Sequence, residues 1–384
     1  MADVFISVAE ASADEHAAHL VRRARERIPG VRFFGLTGPR LREAGAESLA
    51  DITDQAVMLH RVLGRIGAGL RLARQVERWW EARRPDAVVL LDSSALHLGL
   101  IELGLRGLAG RARRRGLPVL YFIAPQTWAS RSYRERWLRS DVTRVACLYP
   151  FEEARLRAAG VNAVCVGQPL FERLQAEPPD PRRAAALRDG AARVVSLMPG
   201  SRESEIRRLL PLQLGAVRLL RRSGMSIRAL VSCASASRRP DLLTEVQRQR
   251  VDAEVVVGEL AELIAAADLV LVKSGTGTLA VAAQRKPMIV TYHAGVLGRL
   301  YRPIGRRVLG TPHLAMPNIL AERRVVPELM IDPTSEQIAT IAGALLRDEA
   351  WRRLMVAQLD ETIRPLEQSR PIERVCDLLS EMLP

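Results

Sequence analysis

Two domains, each an α/β fold with a doubly wound parallel sheet, are predicted from the order of apolar segments along the chain. Short apolar segments of strand length alternate with amphipathic helical segments throughout, a pattern typical of parallel sheets with helices on both faces. A proline-rich segment near the middle separates two such series. The length of 384 residues is sufficient for two domains with separate hydrophobic cores.

The first domain is predicted to occupy residues 1–172. Its predicted strands are Val4–Val8, Arg32–Leu36, Ala87–Leu91, Pro118–Ile123, Val142–Leu148 and Ala163–Val166. Helical segments are expected between these strands, the clearest being Ser12–Arg27. Residues 173–193, with prolines at 178, 179 and 181, are predicted to form a linker to the second domain.

The second domain is predicted to occupy residues 194–349 and to repeat the alternation of strands and helices. Its predicted strands are Val194–Met198, Ile227–Val231, Glu254–Val257, Leu269–Val272 and Met288–Thr291. The C-terminal helices, at about 350–384, can run back over the first domain. The two domains are expected to face each other across a cleft.

The charge and composition limit the classes of partner. The net charge of +14, carried mostly by Arg, favours phosphate-bearing partners. The segment 295–309 interleaves apolar and cationic residues, which suits anionic lipid headgroups. With 4% aromatic residues and no known binding module, nucleic acid is not an expected partner. The four scattered cysteines and the lack of a membrane-spanning segment favour a cytoplasmic protein without a zinc site.

A turn after the first strand of the second domain carries the clearest site signal. The strand Val194–Met198 leads into Pro199-Gly200-Ser201-Arg202, and a helical segment follows. Such a turn directs backbone N–H groups and the positive end of a helix dipole at one point. An arginine beside them can bind a diphosphate bidentately. Gly200, Ser201 and Arg202 are therefore predicted to bind the diphosphate of a nucleotide.

A second small-residue loop follows the strand Leu269–Val272 in the same domain. Its residues Ser274, Gly275 and Thr276 combine hydroxyl groups with a backbone that a ligand can approach closely. Both loops are expected at the carboxyl ends of parallel strands, so they predict one shared nucleotide-diphosphate pocket. Neither loop has the spacing of a P-loop or of a G-x-G-x-x-G fingerprint, which disfavours ATPase and NAD-dependent functions.

Several motifs along nearly the whole chain resemble those of the lipid-A-disaccharide synthase family. They are Ala9–Asp14, Gly35–Leu41, Ala124–Ala129, Tyr149–Glu152, Pro199–Arg202, Ser274–Thr276, Pro317–Ala321 and Val325–Leu329. The resemblance implies a glycosyltransferase of the GT-B type, with two Rossmann-like domains. It also implies peripheral association with the inner face of the cytoplasmic membrane, and it leaves a homodimer open.

The reaction that the resemblance implies is an inverting sugar transfer. UDP-2,3-diacylglucosamine is the donor and 2,3-diacylglucosamine 1-phosphate the acceptor, giving the β-1,6 lipid A disaccharide and UDP. Asn318 and Glu328, in the family's P-N-I-L-A and V-P-E-L segments, are implied donor contacts. No metal ion and no cofactor is expected, because Arg202 and a helix N-terminus can stabilise the leaving diphosphate.

The chain departs from the family at positions expected to act in catalysis. Where the family reads Asp-x-Pro-Asp-Phe-Asn, this chain reads Asp-Ser-Ser-Ala-Leu-His, so Ala95 replaces the aspartate expected as general base. His97, Asp92 and Asp14 are the remaining catalytic candidates. Ala9 and Ala13 replace two glycines, and Ala280 replaces a glutamate.

Three functions stay open at this point. The chain can be a transferase whose base lies elsewhere, most plausibly at His97. It can be a catalytically impaired homologue that binds nucleotide sugar or lipid phosphate without transfer. It can also be a UDP-sugar 2-epimerase-like enzyme, since such enzymes share the GT-B fold.

Overall fold

The computed structural model describes residues 1–51, 64–100, 104–128, 131–292, 312–330 and 332–384. It consists of two compact units. The first unit contains Met1–Glu172 and Ser369–Pro384, and the second contains Arg173–Gln368. Within the part of the chain described, none of the helices combines the length and the apolar character that a membrane span requires.

The elements follow one another in the alternation that the sequence predicts. The strands are β1 (Ala2–Ser7), β2 (Val31–Leu36), β3 (Glu47–Ala50), β4 (Ala87–Leu91), β5 (Gly99–Leu100), β6 (Leu105–Arg106), β7 (Val119–Phe122), β8 (Arg144–Cys147), β9 (Ala163–Cys165), β10 (Val194–Met198), β11 (Arg228–Cys233), β12 (Glu254–Val257), β13 (Leu269–Lys273), β14 (Met288–Tyr292) and β15 (Glu328–Met330). The helices are α1 (Ala11–Arg27), α2 (Pro39–Glu43), α3 (Gly64–Arg83), α4 (Ser94–His97), α5 (Leu108–Arg114), α6 (Glu135–Asp141), α7 (Pro150–Ala158), α8 (Pro169–Ala176), α9 (Pro181–Arg188), α10 (Glu203–Arg222), α11 (Arg239–Gln249), α12 (Leu260–Ala266), α13 (Gly277–Ala283), α14 (Met316–Ala321), α15 (Ser335–Arg347), α16 (Glu349–Glu367) and α17 (Pro371–Ser380).

The sheet of the first unit has the strand order β3-β2-β1-β4-β7-β8-β9, and neighbouring strands are parallel. Its central strands are apolar on both faces because helices cover both: every residue of β4 is buried. Phe5 of β1 packs edge-on against Trp80 of α3, with ring centroids 5.3 Å apart. The strand order reverses between β1 and β4, which makes their carboxyl ends the switch point where ligands bind in such sheets.

The sheet of the second unit has the order β12-β11-β10-β13-β14-β15, again with parallel neighbours. Its switch point lies between β10 and β13. Helix α10 packs against α15, and Gly215 allows this close approach, since a Cβ there would overlap the Ser335 hydroxyl. Inside α10, the buried Gln213 donates a hydrogen bond to the Leu271 carbonyl of β13, which fixes the helix on the sheet.

The segment predicted to be a linker, 173–193, is instead largely helical and belongs to the second unit. Helix α9 begins at Pro181, where a missing N–H costs no hydrogen bond, and Asp180 caps it by accepting from Arg182 N. Arg183 then pairs with Glu259, at 2.7 Å. The prolines thus mark a helix start rather than an unstructured connection.

The C-terminal helices also divide differently from the expectation for residues 350–384. Helix α16 belongs to the second unit, where Arg285 pairs with its residues Asp360 and Glu367. The chain enters the first unit only at Ser369. There, Glu373 of α17 accepts hydrogen bonds from Arg23 and Arg27 of α1.

Candidate functional site

The two loops predicted to bind a diphosphate lie side by side in the structure. Strands β10 and β13 are direct neighbours, with Met198 opposite Val272 at their carboxyl ends. The turn 199–202 follows β10 and the loop 274–276 follows β13. Their adjacency is a consequence of the strand order, which places both loops at the switch point of the second unit.

The turn after β10 requires glycine at its centre. Gly200 has φ +111°, and a Cβ at this position would overlap the Glu205 carboxylate. Glu205 lies in the first turn of α10 and accepts a hydrogen bond from the backbone N–H of Arg202, the N-cap residue, at 3.4 Å. The turn and the helix start therefore form one hydrogen-bonded unit.

Glu205 also connects the two loops electrostatically. Its Oε1 atom lies 3.0 Å from Nζ of Lys273, the last residue of β13, and 3.5 Å from a guanidinium nitrogen of Arg202. The Arg202 side chain is 75% exposed, so its guanidinium faces solvent at the switch point. Lys273 places a second cation there. The sequence did not single it out, because it lies between the predicted strand Leu269–Val272 and the loop 274–276.

Ser274 and Gly275 shape the loop after β13. Ser274 donates from its hydroxyl to the Leu314 carbonyl at 2.8 Å, and from its backbone N–H to the Thr291 carbonyl at 2.9 Å. Gly275 has φ +146°, which L-residues rarely adopt. Thr276 precedes α13 as its N-cap residue. The Ser274 hydroxyl thus binds a neighbouring loop in this structure rather than pointing freely into a ligand site.

The predicted donor contacts Asn318 and Glu328 make hydrogen bonds to each other and to the backbone of that neighbouring loop. Asn318 is completely buried. Its Oδ1 accepts from the N–H groups of Val325 and Val326, and its Nδ2 donates to Glu328 at 2.7 Å. The Glu328 carboxylate in turn accepts from the backbone N–H groups of residues 314 and 315. The pair therefore positions the loop that contacts Ser274.

In the first unit, the loop after β4 has an unusual backbone. Asp92 and Ser93 have φ values of +51° and +40°, and each such residue costs about 1–3 kcal/mol. The Asp92 carbonyl oxygen accepts two hydrogen bonds, from His97 Nδ1 at 2.7 Å and from the Tyr121 hydroxyl at 2.6 Å. These bonds stabilise the loop conformation at the switch point of this unit, and they leave the Asp92 side chain partly exposed.

His97 itself is completely buried, in contrast to its predicted role as an accessible base. Because Nδ1 donates to the Asp92 carbonyl, Nε2 carries the lone pair and accepts from the Ser7 hydroxyl at 2.9 Å. Burial lowers the pKa of His97 to about 4, so the imidazole is neutral near pH 7. Both nitrogens are engaged inside the protein, and Nδ1 holds the backbone of Asp92.

Asp14, the third catalytic candidate, caps a helix. Its side chain is buried, and its carboxylate accepts hydrogen bonds from the backbone N–H groups of Gly38, Arg40 and Leu41 at the start of α2. A Cβ at Gly38 would overlap this carboxylate. With three backbone donors bound, Asp14 is not placed to accept a proton from a substrate, which corrects the expectation from sequence.

The substituted positions differ in their surroundings. Ala95 is exposed on α4, whereas Ala9 and Ala13 are buried in the first unit. The methyl groups of these two alanines are therefore enclosed in the interior of the first unit. Arg134 is only 8% exposed and donates to the Ser94 hydroxyl at 2.6 Å. Only the fold, by bringing the loop after β7 near α4, reveals this contact.

The basic-apolar segment 295–309, predicted to suit anionic lipid headgroups, falls outside the described residues. Among the residues that the structure does describe, no three His, Cys, Asp or Glu side chains cluster in a way that could hold a metal ion. The four cysteines are present as free thiols.

Comparison with protein families identifies the chain's relatives. A family model described as lipid-A-disaccharide synthetase matches residues 4–379. The lipid-A-disaccharide synthase of Anaeromyxobacter dehalogenans strain 2CP-C is 37% identical over 383 residues, which cover 99% of this chain and 97% of that protein. The resemblance seen in the motifs is thereby confirmed over almost the full length.

Solved structures show the same fold at low sequence identity. The S. aureus MnaA–UDP co-structure has a TM-score of 0.66 at 12% identity and covers 99% of this chain and 96% of that one. Anabaena HepE in complex with UDP and glucose has a TM-score of 0.58 at 14% identity and covers 99% and 98%. At these identities the likeness concerns the fold alone, and it confirms the predicted GT-B class with two Rossmann-like units.

Proposed function

The chain belongs to the lipid-A-disaccharide synthase family, and we propose that it catalyses the transfer for which that family is named. The donor in this proposal is UDP-2,3-diacylglucosamine and the acceptor is 2,3-diacylglucosamine 1-phosphate. The products are the β-1,6-linked lipid A disaccharide and UDP. A glycosyltransferase with nucleotide-sugar and lipid substrates is what family membership supports.

The observation that carries the proposal is the paired loops at the switch point of the second unit. The turn 199–202 and the loop 274–276 flank the same pair of neighbouring strands. Arg202 and Lys273 supply two positive charges there, of which the Glu205 carboxylate offsets one, and the N-terminus of α10 adds the positive end of its dipole. When the bond between the anomeric carbon and the diphosphate breaks, the diphosphate leaves with the electron pair, and positive charges and a helix N-terminus stabilise it.

For the acceptor side we propose Asp92 as the general base. Asp92 is the one catalytic candidate of the three that is partly exposed, since His97 and Asp14 are buried, and its carboxylate accepts one backbone hydrogen bond, from Ser93 N at 2.8 Å. His97 and Tyr121 hold the Asp92 backbone, so the carboxylate projects from a fixed loop at the carboxyl end of β4. A carboxylate can accept the proton of the acceptor hydroxyl as that oxygen attacks the anomeric carbon of the donor.

The proposal requires no metal ion and no cofactor. Arg202 and Lys273 are suited to neutralise the charge that develops on the leaving UDP, which is the task a divalent cation performs in metal-dependent transferases. Peripheral binding to the inner face of the cytoplasmic membrane is part of the same proposal, because both substrates carry acyl chains. The net charge of +14 supports attraction to anionic lipid, and a homodimer remains compatible with it.

A second function, binding without transfer, is favoured by one observation. Ala95 is exposed on α4 at the position where the family is expected to carry its base. A homologue that lost this carboxylate and gained no substitute would still bind nucleotide sugar or lipid phosphate. An epimerase-like function has support only from the shared fold.

One experiment separates the three functions. The purified protein is incubated in detergent with the UDP-sugar donor alone, with the lipid acceptor alone and with both, and the products are identified by mass spectrometry and chromatography. The proposal expects UDP and a disaccharide only when both substrates are present. UDP binding without any product would establish the impaired homologue, and conversion of acyl-free UDP-N-acetylglucosamine without acceptor would establish an epimerase.

A further inference from the structure

Two cysteines face each other on adjacent strands of the first unit. Strands β8 and β9 are parallel neighbours, and Cys147 is the direct register partner of Cys165. Register partners project from the same face of a sheet, so both thiols lie on one face at the carboxyl ends of the two strands. Neighbouring strands are about 4.8 Å apart, which is within the Cα separations that disulfides span.

The two thiols have different chemical surroundings. Cys147 is buried, whereas Cys165 is partly exposed. A hydrogen bond from the Cys147 thiol lowers the pKa of Cys165, and the Gly167 N–H and the nearby Arg374 guanidinium lower it further. The same bond to Cys165, together with burial, raises the pKa of Cys147. Cys165 is therefore the thiol that ionises first.

We propose that Cys165 is a site of reversible oxidation by hydroperoxides, and that Cys147 resolves the oxidised form into an intramolecular disulfide. The Cys165 thiolate attacks one oxygen of hydrogen peroxide, the O–O bond breaks, and the departing hydroxide takes up a proton to leave as water. The resulting sulfenic acid is then attacked by the Cys147 sulfur. The S–O bond breaks, and the released hydroxide accepts the Cys147 proton to form a second water.

The position of β9 makes this closure sterically feasible. A disulfide requires its Cβ atoms to approach within about 3.5–4.5 Å, slightly closer than neighbouring strands hold them. Strand β9 is the edge strand of the sheet and has only three residues, so it can shift towards β8 without disturbing a further neighbour. Its continuation is already tied to β8 by the hydrogen bond from Val166 N to the Cys147 carbonyl, at 2.9 Å.

The pair lies next to the motif Ala124–Ala129 of the first unit, so its oxidation can affect the hydrogen bonds that this motif makes. Cys147 lines a small cavity together with Trp128 and Glu152. The Trp128 indole donates to Glu152 at 2.7 Å, and Glu152 also accepts from the backbone N–H groups of Leu148 and Tyr149. A disulfide at Cys147 would fix the carboxyl end of β8, next to Leu148 and Tyr149, whose N–H groups bind Glu152.

Peroxide treatment of the full-length reduced protein tests the proposal. Free thiols are counted after denaturation, and cross-linked peptides are mapped by mass spectrometry. We expect the loss of two of the four thiols, a peptide pair joining Cys147 to Cys165 with the mass of two hydrogen atoms removed, and full recovery on addition of dithiothreitol. Cys233→Ala and Cys376→Ala are matched controls and should lose the same two thiols, since both side chains are buried elsewhere.

Two further variants test the order of the steps. Cys147→Ser should accumulate sulfenic acid at Cys165, trapped as a dimedone adduct, and Cys165→Ser should form neither adduct nor disulfide. If a variant fails to fold, the peptide map of the wild-type protein still decides. Retention of all four thiols, or oxidation of Cys233 or Cys376 at an equal rate, would overturn the proposal. A disulfide or adduct that does not involve Cys165 would overturn it as well.

Discussion

The imidazole of His97 donates a hydrogen bond to the backbone carbonyl of Asp92, with 2.7 Å between Nδ1 and the oxygen. The donor is completely buried and the acceptor belongs to a residue with φ +51° at the end of a central strand. This contact helps the loop to keep its strained backbone, because a buried, neutral side chain satisfies the Asp92 carbonyl oxygen. His97 thus holds the backbone of Asp92, and the proposal assigns the proton transfer to the Asp92 carboxylate.

The titration of His97 predicts a specific dependence of stability on pH. In the unfolded chain its pKa is 6.5, and in the folded protein burial lowers the pKa to about 4. Between these values the unfolded chain takes up a proton that the folded protein does not, so stability falls as the pH decreases through this window. Between pH 6.5 and pH 4, this single site lowers the free energy of unfolding by about 3 kcal/mol.

The variant His97→Gln should remove this contribution, because glutamine can donate to the Asp92 carbonyl but does not titrate. Thermal unfolding midpoints at pH 7 and at pH 4.5 are compared for the wild type, His97→Gln and the control His19→Gln, whose side chain is exposed on α1. A smaller pH dependence is expected for His97→Gln alone. Identical pH profiles in all three proteins would contradict the buried, neutral state of His97.

The fold was predictable from the sequence because continuous apolar strands and amphipathic helices alternate so regularly. The helices α9 and α16 were not assigned to the second unit, because their place depends on contacts between residues far apart in sequence. These include the burial of Leu187 and Leu359 and the pairs Arg183–Glu259 and Arg285–Asp360. The sequence predicted that the turn 199–202 and the loop 274–276 lie together at the carboxyl ends of parallel strands, and the pairing of β10 with β13 places them there.

Roles of single side chains were harder to predict. Asp14, Asn318 and Glu328 were expected at a ligand, yet the structure shows them bonded to backbone groups of loops and a helix start. A sequence motif does not distinguish a polar residue that binds a ligand from one that holds the loop beside it. Burial and the identity of each hydrogen-bond partner make that distinction, and both appear only in the folded chain.

Arg202→Ala should weaken UDP binding by about 10- to 100-fold, the value expected for the loss of a charge-assisted hydrogen bond. The exposed position of Arg202 means that the fold should be unaffected. Isothermal titration calorimetry with UDP measures the effect. Arg207→Ala is the matched control, an exposed arginine on the same helix that pairs with Glu203, and it should bind UDP normally. Equal affinities in the two variants would remove Arg202 from the site.

Removal of divalent metal ions should leave the transfer rate unchanged. The positive charges of Arg202 and Lys273 are proposed to stabilise the leaving diphosphate without a metal ion. The rate of UDP formation is measured before and after treatment with EDTA, and again after magnesium or manganese is restored. A rate that falls with EDTA and recovers with metal would show that the side chains are insufficient.

Asn318→Ala should destabilise the second unit by about 2–4 kcal/mol, because the buried N–H groups of Val325 and Val326 lose their shared acceptor. UDP binding should weaken as well, since the loop that contacts Ser274 loses its anchor. Chemical denaturation and calorimetry report the two effects. A variant of unchanged stability that nevertheless fails to bind UDP would indicate that Asn318 contacts the donor directly.

The transfer rate of Asp92→Asn tests most directly whether Asp92 is the general base. The amide keeps the size and the backbone contacts of Asp92 but cannot accept a proton, so the turnover rate should fall by about 10²–10⁴ while the affinity for UDP is unchanged. Acceptor-dependent UDP release by the wild type and by Asp92→Asn, at saturating concentrations of both substrates, provides this measurement. A turnover rate for Asp92→Asn equal to that of the wild type would contradict the assignment of the general base to Asp92.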